Sequence, residues 1–342
     1  MSLVPSVKRW TPASRVAVTV GIAALAALAA GPALFGANAV DKLTTLFIYV
    51  ILAVMWNALA GYAGLVSIGQ QAFFGLGAYF TARLADAGLP VYATLGIAAL
   101  GAGLVGLGLS AFMLKLKGGE FAIGMWVVAE LAHLLVNLDT LVRGETGTSL
   151  IALNAFTSEA RRADNYWAAL TGMALSLGLV FWLLRSRQGV AIQAIRDDEA
   201  AAEAVGVRVA ASKRLVFTLA AFGAGLAGAL YLATATTFQP HAYFSPQWTA
   251  YMVFMAVVGG LGTFEGAILG ALVFFAIEAL FGASGVWYLV GLGATSLVFA
   301  LFFPKGVWGA IEGRTGLRLL PIGYRLIGGE NKQIVASATK SA

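Results

Sequence analysis

The chain has 342 residues, of which 60% are hydrophobic and 11% are Asp, Glu, Lys or Arg. Soluble domains carry roughly 25% charged residues, so this composition excludes an ordinary water-soluble protein. The chain has no Cys and two His, which excludes disulfides, thiol catalysis and metal sites built from thiolates or several histidines.

Long apolar stretches predict an all-α, polytopic transmembrane helical bundle with about ten spans. In chain order the predicted spans are 16–35, 43–60, 66–82, 91–114, 120–138, 166–184, 215–235, 246–260, 265–281 and 286–303. The first follows a basic N-terminus, as a cleaved signal peptide would. Its apolar stretch is longer than the usual signal core of about 7 to 15 residues, so we expect a retained helix. Segments 66–82 and 246–281 are short or glycine-rich and are candidates for re-entrant or broken helices.

Basic residues divide unequally between the two sides of the membrane. If the N-terminus is inside, 17 of the 22 Lys and Arg residues lie inside and 5 lie outside. The positive-inside rule then places both termini in the cytoplasm. We expect a cytoplasmic N-terminus at 1–15, a transmembrane domain at 16–310 and a cytoplasmic tail at 311–342. The basic residues flank apolar helices and form no patch with interleaved aromatics, so we expect no nucleic-acid partner.

The longest cytoplasmic segment, 185–214, has the pattern of a short helix. An Ala-rich run from Asp198 to Val205 is composed of good helix formers, and the acidic residues at its start suit a first helical turn. Gly206 then supplies a helix stop. Such a helix could dock on a soluble partner. An amphipathic loop lying on the lipid headgroups fits the composition equally well.

Four stretches, in order, are similar to the LivM-type permease subunit of branched-chain amino-acid ABC importers. They are GYAGLVSIGQQAFFGLGAY at 61–79, QGVAIQAIRDDEAAAEAVGVRVAASKRLVFTLAAFGAGLAGALY at 188–231, GGLGTFEGAILGAL at 259–272 and LFFPKGVWG at 301–309. The resemblance extends from about residue 43 to 310. It implies a permease in the bacterial inner membrane that moves branched-chain or other apolar amino acids. It also implies a second homologous permease as heterodimer partner, two cytoplasmic ATP-binding subunits and a periplasmic substrate-binding protein.

The resemblance also implies which residues couple the permease to its ATPase. Carried over position by position, these are Arg196, Asp197, Asp198, Glu199, Ala200, Ala201, Glu203 and Gly206. The run departs from the general importer signature, in which Glu-Ala-Ala is followed by three residues and Gly, because four residues precede Gly206 here. None of the eight Lys follows a Gly, so the chain has no Walker A loop and ATP must act on another polypeptide. We therefore expect no enzyme activity, cofactor or metal in this chain.

Polar residues inside predicted spans are the candidates for the translocation path. Glu130, His133 and Asn137 share one helix face, and a charge near the bilayer centre costs about 2.5 to 3.5 kcal/mol. This face can be a cavity wall, a latch between helices or a polar interface with the partner subunit. Ser67, Gln70 and Gln71 are the second set, with Ser67 and Gln71 predicted on one helix face. They can bind a passing zwitterion or bond neighbouring helices.

Other features have simpler explanations. The Gly262, Gly266 and Gly270 series predicts close helix packing. Thr263 and Glu265 suit the start of a helix. Glu278 is a weaker cavity candidate, and His241 is expected to be incidental in an outer loop.

Several functional alternatives stay open. Related permeases for urea, amides or aromatic acids share the resemblance. An ion-coupled secondary transporter would leave the cytoplasmic segment without a purpose. An intramembrane hydrolase would need a nucleophile beside His133, and the sequence has no HExxH or G-x-S-x-G pattern.

Overall fold

A computed structural model describes residues 6–8, 12–315, 319–320 and 325–327. The described chain is almost wholly helical. Its α-helices are α1 (Pro12–Ala29), α2 (Gly31–Leu34), α3 (Ala37–Asn57), α4 (Gln71–Asp86), α5 (Val91–Met113), α6 (Gly118–Asn137), α7 (Ser158–Arg185), α8 (Arg187–Asp197), α9 (Glu199–Ala204), α10 (Val209–Ala235), α11 (Pro240–Tyr243), α12 (Pro246–Gly259), α13 (Phe264–Phe281), α14 (Val286–Phe302) and α15 (Gly306–Thr315).

Short irregular helices and strands complete the fold. A π-helical turn, Ala58–Tyr62, extends α3, and 3₁₀ turns cover Gly144–Thr146, Ile151–Ala155 and Gly282–Ser284. The strands are β1 (Ser6–Lys8), β2 (Thr148–Ser149), β3 (Thr237–Phe238) and β4 (Arg325–Ile327). Both strand pairs are antiparallel, with Val7 opposite Leu326 and Thr148 opposite Phe238.

The helical membrane bundle predicted from the sequence is confirmed, and every predicted span overlaps a helix. Within the described residues, seven helices are long and apolar enough to cross a membrane. The other three are α1, α4 and α12, of which α4 has 16 residues and α12 has 14.

Two predicted spans are interrupted or shortened. The first span breaks at Ala30, ahead of Pro32, because proline cannot continue a helix interior. The third begins at Gln71, since 66–70 is not helical. Helix α15 runs across the expected tail boundary at 310, and most of 311–342 lies outside the described residues.

Helix α3 is the centre of the bundle. Its residues from Phe47 to Asn57 are each at most 3% exposed, and it is apolar on every face, as expected for a helix enclosed by others. Helices α7, α10, α12 and α13 pack around it, while α10 also packs on α4 and α5. Helix α14 is peripheral, because only Tyr288 and Leu292 among its residues are buried.

Glycines allow two helix pairs to approach closely, as the glycine series predicted. A Cβ on Gly77 of α4 would overlap the carbonyl of Gly225 in α10. In α12 and α13, a Cβ on Gly270 would overlap the carbonyl of Met255. Backbone contact of this kind is how small residues stabilise helix pairs in membranes.

Two ion pairs mark the two ends of the bundle. Lys117 lies 3.9 Å from Glu199, so the α5–α6 loop and the 185–214 segment share one end. Asp41 and Arg162 form an ion pair at 2.9 Å at the other end. Pairing of β1 with β4 also brings the terminal segments together.

Candidate functional site

The segment α8–α9 (187–204) forms two helices where the sequence predicted one. Asp198 ends α8 in an extended conformation and caps α9, accepting a hydrogen bond from the Ala201 N–H at 3.0 Å. Gly206 stops α9 with a φ of +89°, a left-handed conformation that favours glycine. The helix and its glycine stop are therefore confirmed, with one added bend at Asp198.

Two residues predicted to couple to an ATPase hold this segment against the bundle. Arg196 donates from Nη1 to the carbonyl of Gly61 at 3.0 Å and also bonds Asp197. Glu199 pairs through Oε2 with Lys213 Nζ at 2.7 Å, and Lys213 is 9% exposed. The Lys213 side chain is 11% exposed, so removing Glu199 would leave a mostly buried charge without this partner. Arg196 and Glu199 remain partly exposed, yet their bonds attach α8–α9 to the bundle.

The remaining coupling candidates shape the segment or lie on its surface. Ala202 is buried. The exposed candidates above it are Asp197, Ala200, Ala201, Glu203 and Gly206. Val205 is 80% exposed, which adds an apolar side chain to this surface. The exposed face is small and mostly apolar, with acidic residues beside it.

Directly above α8–α9, two breaks in membrane helices meet at one residue. Asn57, 1% exposed, donates from Nδ2 to the Thr263 carbonyl and accepts from the Gly262 N–H, both at 2.8 Å. It thereby joins the π-helical end of α3 to the loop between α12 and α13. A Cβ on Gly61 would overlap the Gly262 backbone, so the two chains are in direct contact. We call Asn57, Gly61, Gly262, Thr263 and Arg196 the junction.

The four stretches that are similar to the LivM-type permease subunit meet at or next to the junction. Gly61, Arg196 and Gly262 belong to the first three, and Gly306 of the fourth lies so close to Gly260 that a Cβ would overlap its backbone. π-Helical turns inside α-helices occur frequently at functional sites. The junction is therefore the structural centre shared by the four stretches. The sequence reasoning did not identify Asn57, whose signal was an amide at the end of the long apolar run 46–56.

The second set of predicted path residues, near the end of α3, is closed. Ser67, Gln70 and Gln71 are each at most 1% exposed. Gln71 bonds Thr249 of α12 through both its N–H and its side-chain oxygen. The Gln70 Oε1 is buried without a hydrogen-bond partner in the described residues. These residues can line a path only after α4 and α12 move apart.

The predicted helix face shared by Ser67 and Gln71 was wrong. Ser67 lies in the loop before α4, where its carbonyl accepts from the Trp56 indole N–H at 3.0 Å. Its hydroxyl accepts from the Gly69 N–H at 3.3 Å. These two local bonds hold the loop in a non-helical conformation, so α4 begins only at Gln71.

The first set of predicted path residues forms a cluster with a loop carboxylate. Glu130, His133 and Asn137 share one face of α6, as predicted. His133 Nε2 lies 2.8 Å from Glu145 Oε1, and Asn137 donates to the same oxygen at 2.6 Å. Glu130 Oε1 is 3.3 Å from His133 Nδ1. The other Glu145 oxygen accepts from the His241 N–H at 3.0 Å. We call these four side chains the Glu145 cluster.

The Glu145 cluster ties α6 to the loops around it. Burial acts to raise the pKa of the Glu145 carboxyl, but its bonds with Asn137, the His241 N–H and His133 hold it below its ordinary value. Glu145 was missed because it lies in a loop with no periodic pattern. His241 contributes its backbone N–H. In the described part of the chain, no group of three or more His, Asp or Glu could hold a metal ion.

Comparison with known proteins agrees with this architecture. A sequence-family model described as the permease component of a branched-chain amino acid transport system matches residues 38–303. The permease protein LivM of the high-affinity branched-chain amino acid transport system of Escherichia coli K12 is 28% identical over 313 residues, covering 84% of this chain and 73% of LivM. LivH of the same organism is 23% identical over 285 residues, covering 77% of this chain and 92% of LivH.

One solved structure, PsaBC from Streptococcus pneumoniae in complex with Fab, aligns with this chain at a TM-score of 0.47 and 13% identity. The alignment covers 84% of this chain and 99% of that one. The family match covers most of the chain and all of the helices that form the junction. The chain belongs to the family of permease components of branched-chain amino acid transport systems, whose members are transport subunits of ABC transporters and not enzymes.

Proposed function

We propose that this chain carries branched-chain or other apolar amino acids across a bacterial inner membrane as one permease of a heterodimer. Two separate cytoplasmic subunits hydrolyse ATP, and a periplasmic binding protein delivers the solute. Both termini lie in the cytoplasm. The family membership and the two Liv relatives support this assignment.

The observation that carries the mechanism is the attachment of α8–α9 to the junction. An ATPase that engages the exposed face of α9 would displace Arg196, and with it the Gly61 carbonyl at the end of α3. Asn57 would transmit the displacement to the loop between α12 and α13. Helix α12 carries Thr249, which closes the site of Gln71.

This route defines two classes of residue in the proposal. The docking face consists of Ala200, Ala201, Glu203 and Gly206. Arg196 and Glu199 are positioning residues that hold this face on the bundle. The path is bordered, or sealed at its ends, by the polar residues Ser67, Gln70, Gln71, Glu130, His133 and Asn137. Hydroxyl and amide groups suit the brief binding of a zwitterion, because they form hydrogen bonds without a fixed charge.

Docking is tested by comparing two equivalent substitutions on opposite ends of the bundle. Ala201→Trp places a large side chain on the exposed face of α9, and Ala160→Trp places it on an exposed position of α7. We expect Ala201→Trp to abolish co-purification of the ATPase and leucine uptake in proteoliposomes with the binding protein. Ala160→Trp should retain both. Normal ATPase recovery and uptake with Ala201→Trp would contradict docking at α9.

The substrate is tested by ligand screening of the cognate binding protein. We expect tightest binding of leucine, isoleucine or valine. Tighter binding of urea, a short amide or an aromatic acid would assign the chain to a related importer instead.

A further inference from the structure

A cleft on the outside of the bundle lies between α5 and α7. Both helices pack on α10, and the space left between them is about 560 Å³. All three helices contribute to its apolar wall, which includes Leu95, Gly96, Gly172, Leu175, Phe222 and Leu226. Leu175 is 47% exposed, so the cleft opens outward from the bundle and not into its core.

Polar groups lie at one end of this cleft. Asp164 and Tyr92 line it there, and the Tyr92 hydroxyl donates to Asn165 Oδ1 at 3.2 Å. Trp167 also lines the cleft, and its indole N–H donates to the Ala29 carbonyl at 3.0 Å. Tyr and Trp are typical of the interface between membrane and water, where their rings lie at the level of the lipid headgroups. This end of the cleft is therefore at headgroup level.

The length of the cleft matches one leaflet of a bilayer. From Asp164 to Leu175, α7 advances about 16 Å at a rise of about 1.5 Å per residue. The hydrocarbon core of a bilayer is about 30 Å thick, so one leaflet contributes about 15 Å. Beyond the polar end, the lining residues are apolar apart from Thr171. A polar end at the interface and an apolar wall one leaflet long have the layout of a phospholipid.

The polar end carries one charge of each sign. Arg161 lies three residues before Asp164 on α7, so the two side chains are neighbours on the helix surface. Both are partly exposed, and in the described part of the chain neither of them forms an ion pair. A phosphoethanolamine headgroup carries the complementary charges, a phosphate for Arg161 and a primary ammonium group for Asp164. The ammonium N–H groups can donate charge-assisted hydrogen bonds to the carboxylate, whereas a choline headgroup has no N–H to donate.

We propose that the α5–α7 cleft binds phosphatidylethanolamine, with one acyl chain along the apolar wall and the headgroup at Arg161 and Asp164. An acyl chain gains little by leaving other lipid chains, because lipid is as apolar as the cleft. The headgroup contacts therefore decide which lipid binds. The topology in the proposed function places this lipid in the periplasmic leaflet, but the site itself does not rest on that function.

The test is photocrosslinking of the complete importer in phosphatidylcholine vesicles. Two probes are compared at equal mole fraction, phosphatidylethanolamine and phosphatidylcholine with the same diazirine-bearing acyl chain, and crosslinked residues are quantified by mass spectrometry. At Leu175 we expect roughly tenfold more crosslinking by the ethanolamine probe, as expected for a hydrogen bond to a charged group. At Leu301, exposed on α14, the two probes should crosslink equally. Asp164→Asn should remove most of the preference at Leu175, and Glu159→Gln, at an exposed carboxylate of α7 outside the cleft, should retain it.

A second pair of variants tests the cleft by filling it. A Cβ on Gly96 or on Gly108 of α5 would meet no atom within 4 Å, so both positions have room for a side chain. Gly96 lines the cleft and Gly108 does not. We expect Gly96→Phe to abolish crosslinking of the ethanolamine probe to Leu175, and Gly108→Phe to leave it unchanged.

Three results would overturn the lipid site. The first is equal crosslinking of Leu175 by the two probes in the wild type, a comparison that needs no variant to fold. The second is unchanged crosslinking with Gly96→Phe. The third is crosslinking of Leu175 in the isolated chain that disappears in the complete importer, because a partner subunit would then cover the cleft. Failure of leucine uptake by vesicles with the expected crosslinking would instead refute the proposed function and leave the lipid site standing.

Discussion

Replacing Asn57 with Ala tests the junction most simply. The substitution removes two hydrogen bonds of 2.8 Å and leaves the Gly262 N–H and the Thr263 carbonyl without those partners. Each bond contributes about 1 kcal/mol, and an unsatisfied buried group costs about 1 to 3 kcal/mol. Side-chain hydrogen bonds between membrane helices average about 0.6 kcal/mol, which lowers the total. We therefore expect destabilisation of about 2 kcal/mol.

The assay is thermal unfolding of the purified chain in detergent, followed by leucine uptake after assembly with its partners. A loss of about 2 kcal/mol lowers the melting temperature by roughly 4 to 8 °C in a domain of ordinary size. Asn38→Ala is the matched control, because Asn38 is an exposed residue in the first turn of the same helix. Uptake should fall with Asn57→Ala while the ATPase still co-purifies. Equal melting temperatures and equal uptake in the two variants would refute the role of Asn57 in joining α3 to the loop between α12 and α13.

Three further predictions concern other parts of the bundle. Gln71→Leu should lower uptake by about tenfold with normal ATPase recovery, since it removes an amide that can hydrogen-bond a zwitterion in the path; unchanged uptake would exclude this role. A Cys at Ala204, exposed in a chain without native Cys, should react with a membrane-impermeant maleimide only in inverted vesicles, and labelling of intact cells would reverse the proposed topology. The lowered pKa of Glu145 stabilises the fold at pH above the ordinary glutamate pKa, and this contribution is lost as the pH falls through the lowered value. The melting temperature of Glu145→Gln should therefore lie below that of the wild type at pH 7 and approach it in acid; a pH-independent difference would contradict the cluster's electrostatics.

Helices could be predicted from the sequence because they depend on local signals. Apolar length gave the approximate position of each span. The stop at Gly206 followed from the conformational freedom of glycine. These signals lie within a few residues of the feature they determine.

Long-range contacts could not be predicted in this way. Asn57 and Gly262 are 205 positions apart, and no pattern in either segment indicates the other. Glu199 was expected on a water-exposed docking face, but Lys213 of the next helix binds it. Ser67 has a helical spacing to Gln71, yet its bonds with Trp56 and Gly69 compete with the helix and prevent it. In the first two cases a partner from another helix or loop decided the outcome, and in the third the local bonds of the loop did.

The central claim is that Arg196 connects the ATPase-docking face to the break in α3. Its direct test is the number of leucine molecules taken up per ATP hydrolysed, measured in proteoliposomes containing the complete importer and its binding protein. Arg196→Ala removes the bond to the Gly61 carbonyl, and Arg187→Ala removes an exposed arginine from the start of the same helix. We predict that Arg196→Ala lowers the ratio at least about tenfold with normal ATPase binding, consistent with loss of one charge-assisted hydrogen bond, while Arg187→Ala leaves the ratio unchanged. An unchanged ratio in Arg196→Ala, or equal losses in both variants, would contradict the account.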